Sequence, residues 1–385
     1  MTVPAKRHVT ERAKRHGMAL CGIVGVGLSM AVAVACGDDG LLESLPAVSD
    51  GGRDPDARFG DGGLGPPIPA NGLVIVHAAS LPAFRLCFDA NKSLRPVPSD
   101  QLMPSSNIVG VEVGTAVRVD PITPVIGAVW AFPEPKIRNL YPPGKPGPTC
   151  ADLLESLGDE AIPLGAIDRD LSTGAHLLVV AGCQPTSADP VASNERCGET
   201  WTADAGNVSL RVIDIDAFAR MDTTSLPIQI VQLSPALESR AAGRRISVAL
   251  GDLDAAADPF ITDDLPFADV VPETPMLVQY RPEDTASFAS VGFHVSLASA
   301  ADAGDAGLDA ATTELLLRQS LADVARLSSS RDVPPEWFAA ASSYVLLLVG
   351  EPDLADASPD DRRNMHLLAV PVAPPTNSTD APATN

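Results

Sequence analysis

Leu73-Val74-Ile75-Val76-His77-Ala78-Ala79-Ser80 returns in rhythm as Ile228-Gln229-Ile230-Val231-Gln232-Leu233-Ser234-Pro235. Both are short apolar runs that close on turn-forming residues, the form of a strand with few exposed positions. The parallel continues downstream. Leu178-Val179-Val180-Ala181-Gly182 matches Leu346-Leu347-Leu348-Val349-Gly350, and Asn207-Val208-Ser209-Leu210 matches Asn364-Met365-His366-Leu367. The offsets are 155, 168 and 157 residues, so the order is kept while the connecting lengths change slightly. Such self-similarity marks a repeated unit. It predicts two β-sandwich domains, at 70–218 and 226–372.

Other segments carry the same signal. Val109, Val111 and Val113 alternate with Gly110, Glu112 and Gly114, predicting a strand with one apolar face. Ile246, Val248 and Leu250 do likewise, as do Phe293, Val295 and Leu297. Ala175 to Ala181 is continuously apolar between Gly174 and Gly182, as in a strand covered on both faces. Helical signals are few. Thr149-Cys150-Ala151-Asp152 reads as a capping box opening a helix that stops at Gly158. Leu317, Leu321 and Val324 share one face of a helix expected over 313–327, and Asp332-Val333-Pro334-Pro335-Glu336 reads as the start of a short one. With 36 Pro, 30 Gly and only 4% aromatic residues, the composition also favours short strands and turns. The expected fold class is mainly β, with a few short inserted helices.

The N-terminus carries an address. Lys6, Arg7, Arg12, Lys14 and Arg15 precede 19 uncharged residues, Gly17 to Ala35, which end on Ala33-Val34-Ala35-Cys36. A basic region, an apolar region and small residues before a cut make a secretory signal. With a cysteine at the cut, this N-terminus resembles that of bacterial lipoproteins. The resemblance implies removal of residues 1–35, a diacylglycerol on the Cys36 sulfur and acylation (commonly palmitate) of its new amine. The rival is an uncleaved span, since about 17–25 apolar residues cross a bilayer. Four glycines and one serine among the 19 bury little apolar area, which weakens that rival. Gly37, rather than Asp, follows the anchor, which favours the outer over the inner membrane. Residues 36–69, rich in Gly, Asp and Pro, read as a tether, and 373–385 as a disordered tail.

The whole chain has 27 basic and 49 acidic residues. Residues 1–35 hold five basic and one acidic, so the exported part carries 22 against 48, a net of −26. Such a surface repels phosphate backbones and excludes nucleic acid as a partner. The expected partners are the membrane, through the lipid, and an extracytoplasmic ligand or envelope protein.

The stretch Val74 to Asp89, with His77-Ala78-Ala79-Ser80-Leu81-Pro82, is similar to the opening of a secreted bacterial domain of unknown function. Gly174-Ala175-His176-Leu177-Leu178-Val179-Val180 resembles a later strand of that family. The resemblance implies an immunoglobulin-like sandwich and export. Arg85 stands where the family has an acid, His176 where it has an aromatic, and Gln232 takes the His77 place in the second unit.

Cys87, Cys150, Cys183 and Cys197 remain beside the anchor, and an even number in an exported chain suggests two disulfides. Of three pairings, the short polar loop favours Cys183–Cys197, leaving Cys87–Cys150. Spacing offers neither CxxC nor HExxH, and there is no GxSxG elbow. No cofactor and no catalysis are expected. The nearest catalytic reading is an exported hydrolase with an unconventional site at His77, close to Ser80; the weightier reading is a strand-end histidine bonded to a turn. Gly60 to Gly65 satisfies GxGxxG, yet Pro66-Pro67 follows where a helix is needed. Asp252, Asp254 and Asp258 form a weak calcium candidate, in which case the protein would be a calcium-stabilised adhesive module.

Overall fold

The computed structural model describes residues 72–98, 110–119, 125–141, 147–219, 224–254, 260–279, 285–298, 313–329, 337–338, 341–352, 354, 358 and 361–373. All fall within one compact unit, Arg53–Asn385. Cys36, the leader, the tether, Asp258 and the 332–336 helix lie outside the described residues.

The fold is mainly β. The first half contains β1 (Leu73–Ser80), β2 (Phe84–Phe88), β3 (Thr115–Val119), β4 (Gly127–Pro133), β5 (Ile162–Ile167), β6 (Ala175–Cys183) and β7 (Ser209–Ile215). Between them lie helices α1 (Glu134–Ile137), α2 (Cys150–Leu157) and α3 (Asn194–Cys197). The second half opens with β8 (Ser225–Gln232), α4 (Pro235–Ala241), β9 (Arg245–Asp252), β10 (Phe260–Thr262) and β11 (Val270–Gln279). It closes with α5 (Thr285–Ser290), β12 (Val291–Ala298), β13 (Glu314–Ser320), α6 (Leu321–Ser329), β14 (Ser343–Val349) and β15 (His366–Val372).

The halves repeat one topology. Sheet order β3-β1-β6-β7 recurs as β11-β8-β14-β15, and β2-β4-β5 recurs as β9-β12-β13, with β10 added at the edge. The central pairs β1/β6 and β8/β14 are both parallel, while their outer neighbours are antiparallel. Registers agree residue by residue: Ile75 faces Leu178 where Ile230 faces Leu346, and Leu178 faces Val212 where Leu346 faces Ala369. These are the offsets read from the sequence.

Four sheets stack. Ile75, Val117 and Leu178 pack on Phe84, Leu86 and Val129 inside the first half. Ile230, Leu346 and Leu348 pack on Val248, Phe293 and Val295 inside the second. A third core joins the halves: Val76, Leu177, Val179, Ala181, Ile213 and Ile215 meet Val231, Val345, Leu347, Val349, Val370 and Val372. Under the offsets above, each of these first-half residues is the counterpart of one in the second. Equivalent faces therefore meet, as across a two-fold in a homodimer. This explains why β6, β8, β14 and β15 are buried along their whole length.

Two elements differ from expectation. Val111 makes only an isolated bridge with Phe84, and the chain turns before β3 starts at Thr115. Gly110 (φ 132°) and Gly114 (φ 67°) take the backbone out of the extended region, which L side chains there would resist. A Cβ on Gly114 would also sit 1.9 Å from the Arg362 carbonyl oxygen. The helix expected over 313–327 begins only at Leu321. Glu314–Ser320 is instead β13, drawn into pairing with β12, and Ser320 Oγ then caps α6 by accepting from Asp323 N at 3.0 Å. Leu321 and Val324 are buried as expected. The capping box at Thr149 is present, with Asp152 Oδ2 accepting from Thr149 N at 2.9 Å and Thr149 Oγ1 from Asp152 N at 3.2 Å.

Candidate functional site: a cleft where the two halves meet

The parallel pairs β1/β6 and β8/β14 end at one cleft of about 330 Å³. Its walls are the residues at and just after those four strand ends: Ser80 and Leu81, Gly182 and Gln184, Ser234 and Pro235, Gly350 and Glu351. Gly182 and Gly350 are counterparts. Both have positive φ, 99° and 85°, and a Cβ on either would meet the carbonyl oxygen of Asn207 or Asn364 at 2.5 or 2.2 Å. Only glycine lets the strand end pass so close to the returning chain.

Charge enters the cleft from the loop after β6. Disulfide Cys183–Cys197 closes that loop, and Cys87–Cys150 ties β2 to α2, so both expected pairs are formed. Trp201 Nε1 donates to Gln184 O at 2.9 Å. Asn207 accepts from Cys183 N and donates to Cys197 O and Thr200 Oγ1, so its amide is fully engaged. Thus held, the loop presents Asp189 and Arg196. Arg196 forks onto Glu351 of the second half, Nε to Oε2 at 2.8 Å and Nη2 to Oε1 at 2.6 Å, while Nη1 donates to Val191 O at 3.0 Å. Glu351 holds the guanidinium above its ordinary pKa, mainly through these bonds. Arg363 lies on Asp361 at 2.5 to 3.1 Å, which draws the Asp361 carboxyl down to about 2. Ser80 donates its hydroxyl to Asp189 Oδ2 at 2.6 Å.

His77 forms part of the wall and is wholly buried. Its ring meets Phe84 edge-on at 4.4 Å, and Nδ1 lies 3.0 Å from Val111 O. A carbonyl only accepts, so Nδ1 carries the proton. Nε2 has no hydrogen-bond partner. Burial pushes the pKa down to about 4 against smaller opposing backbone contacts, so the ring is neutral at pH 7. The counterpart Gln232 differs: its side chain donates to Ser234 O at 2.9 Å and accepts from Ser234 N at 3.0 Å. His77, Ser80 and Asp189 thus share one cleft, but Ser80 donates to Asp189 and not to His77, which is not the order of a nucleophile activated by a base.

Two other histidines tie elements of the scaffold together. His176 bridges Asp214 and Thr173 O, each at 2.7 Å. His366 bridges Asn364 O at 2.7 Å and Gly114 O of the first half at 2.8 Å. Asp252 and Asp254 sit at the end of β9, where Asp252 Oδ1 accepts from Asp254 N at 2.9 Å. Among the described residues, no group of three His, Cys, Asp or Glu is placed to hold a metal, and no helix is long and apolar enough to cross a membrane. A second, larger groove of about 590 Å³ holds Glu238, whose pKa is raised by partial burial and by the charges of Asp264 and Glu199.

Asp189, Arg196, Glu351 and Arg363 carried no spacing motif. Only the flanking cysteines hinted that their loop is held in place. No family model matches the chain, and no curated protein matches it.

Proposed function

We propose that the chain is an exported lipoprotein, tethered through Cys36 to the cell envelope, preferentially the outer membrane. In this reading it presents two immunoglobulin-like sandwiches as one body and binds an extracytoplasmic ligand or envelope protein in the cleft between them, without catalysis. The lipobox-like run Ala33 to Cys36 supports the anchor, and two formed disulfides fit an oxidising compartment. The observation that carries the binding role is the cleft itself, walled by the same strand ends of both halves and lined by a few polar groups on an apolar frame. Palmitate labelling with intact-mass analysis tests the anchor. The mature chain should begin at Cys36 and carry acyl mass, and Cys36→Ser should abolish both. An unmodified chain retaining residues 1–35 refutes it.

A second reading has one observation in its favour: His77, Ser80 and Asp189 line the same cleft. An exported hydrolase would lose turnover on His77→Ala, whereas a binding protein shows none to lose.

A further inference from the structure

We propose that the turn from Val111 to Thr115, one wall of the cleft, is an acid-released latch, held down by the neutral rings of His77 in the first half and His366 in the second and freed when they take protons. The proposal concerns the wall itself and stands apart from what the cleft binds.

The turn is gripped from both halves. On the first-half side, His77 Nδ1 donates to Val111 O at 3.0 Å, and Gly114 N donates to His77 O at 2.9 Å. On the second-half side, His366 Nε2 lies 2.8 Å from Gly114 O. Packing there is tight, since a Cβ on Gly114 would sit 2.9 Å from His366 Cε1. Between these grips Val113 and Gly114 line the cleft. Two glycines at positive φ, Gly110 and Gly114, can absorb the backbone rotation that lifting needs.

Both rings resist charging while the turn is down. At His77 the Nδ1 proton is already used, and a proton on Nε2 would be buried without an acceptor. Thr115 of β3, Val180 of β6 and Phe84 of β2 flank it without charge, and Glu112 of the turn reaches it only through the backbone. Burial therefore dominates and sets its pKa at about 4. At His366 the carbonyls of Gly114 and Asn364 face the two nitrogens and favour a proton, but burial outweighs them and Arg362 adds repulsion, so this pKa is lowered too. Val349 lies opposite it on β14. Arg362 in turn feels Glu112 on the turn and Arg326 on α6, and Arg326 is paired with Asp323 at 3.3 Å.

Lifting the turn lets water reach both rings, which then take protons near the ordinary value of about 6.5. Protons thus bind the open turn better than the closed one, and acid shifts the balance toward opening. From His77 alone, the opening constant should rise about 25-fold between pH 7.5 and 5, a window in which carboxylates stay largely ionised.

The test is hydrogen exchange of the full chain in mild detergent, corrected for intrinsic rates and resolved to the amides of Val111, Gly114 and Thr115. Their protection should fall about 25-fold from pH 7.5 to 5, with about sevenfold of this between 6 and 5 and almost no change above 7.5. Urea at about 1 M should alter it little, because lifting a turn exposes little surface. His77→Gln, which installs the second half's residue at the equivalent place, should cut the response to a few-fold, and adding His366→Gln should flatten it. The unmutated pH profile decides the matter even where a variant fails to fold. Protection that is unchanged or raised in acid, a loss that persists in the double variant, or a loss shared by β6 with the same urea dependence overturns the latch.

Discussion

Leu347→Ala tests whether the two halves are one folding unit. Leu347 is fully buried on β14, in register with Val231 on one side and Leu368 on the other, and it faces the first half within the shared core. Truncating a leucine in such a site removes its transfer free energy and leaves a cavity. Because sheets held on both faces cannot collapse inward, the cost should fall at about 3–5 kcal/mol. With a urea m-value at or above about 3 kcal/mol/M for a unit of this size, the midpoint should drop by about 1 M. The informative readout is hydrogen exchange resolved by segment. The shared core makes global opening of either half expose the other, so β6 in the first half should lose as much protection as β14. A single urea transition should accompany this. If β6 keeps its wild-type protection while β14 loses it, or unfolding splits into two steps, the halves are independent and the account of the central core is wrong.

Four further outcomes follow from the geometry. His77 is near pKa 4 when folded and about 6.5 when unfolded, so above pH 6.5 it costs nothing. As pH falls from 6.5 to 4 the unfolded chain takes the proton first, and stability should decline by about 3 kcal/mol; denaturation of His77→Gln across that range should lack this part of the slope. Removing the Cys87–Cys150 bridge should cost about 4 kcal/mol and Cys183–Cys197 about 3, since the closed loops span 63 and 14 residues; the reverse ranking in urea melts would contradict the loop-closure argument. Gly182→Ala and Gly350→Ala should each destabilise by more than about 1 kcal/mol, seen as a lowered midpoint, because both positions combine positive φ with a backbone oxygen closer than 2.6 Å to the new Cβ. A double-mutant cycle on Arg196 and Glu351 should return a coupling of about 1 kcal/mol, weakening little with salt because both side chains are three-quarters buried; zero coupling would mean the fork does not join the halves.

Much of the local structure was legible because its causes are local. The alternation Phe293, Val295, Leu297 and the run Ala175 to Ala181 became β12 and β6, and Thr149 with Asp152 made the capping box. Readings failed where a distant partner outweighed the local pattern. Leu317 shares a helical face with Leu321 and Val324, yet β12 offered backbone partners and made residues 314–320 a strand. Val109 to Val113 alternate properly, but two glycines at positive φ turned the chain first. The site was hidden for a related reason. Ser80 and Asp189 are 109 residues apart, Arg196 and Glu351 are 155 apart, and no spacing rule connects them.

The order of residues alone pointed to a β protein built of two like units, favoured the cysteine pairs that form, and marked Ala175 to Ala181 as a strand covered on both sides, because periodicity and composition act through neighbouring residues. Tertiary structure alone decided what covers such a strand. Apolar strands need burial but do not choose a partner, and only the meeting of equivalent faces brought four strand ends and their opposed charges to one cleft.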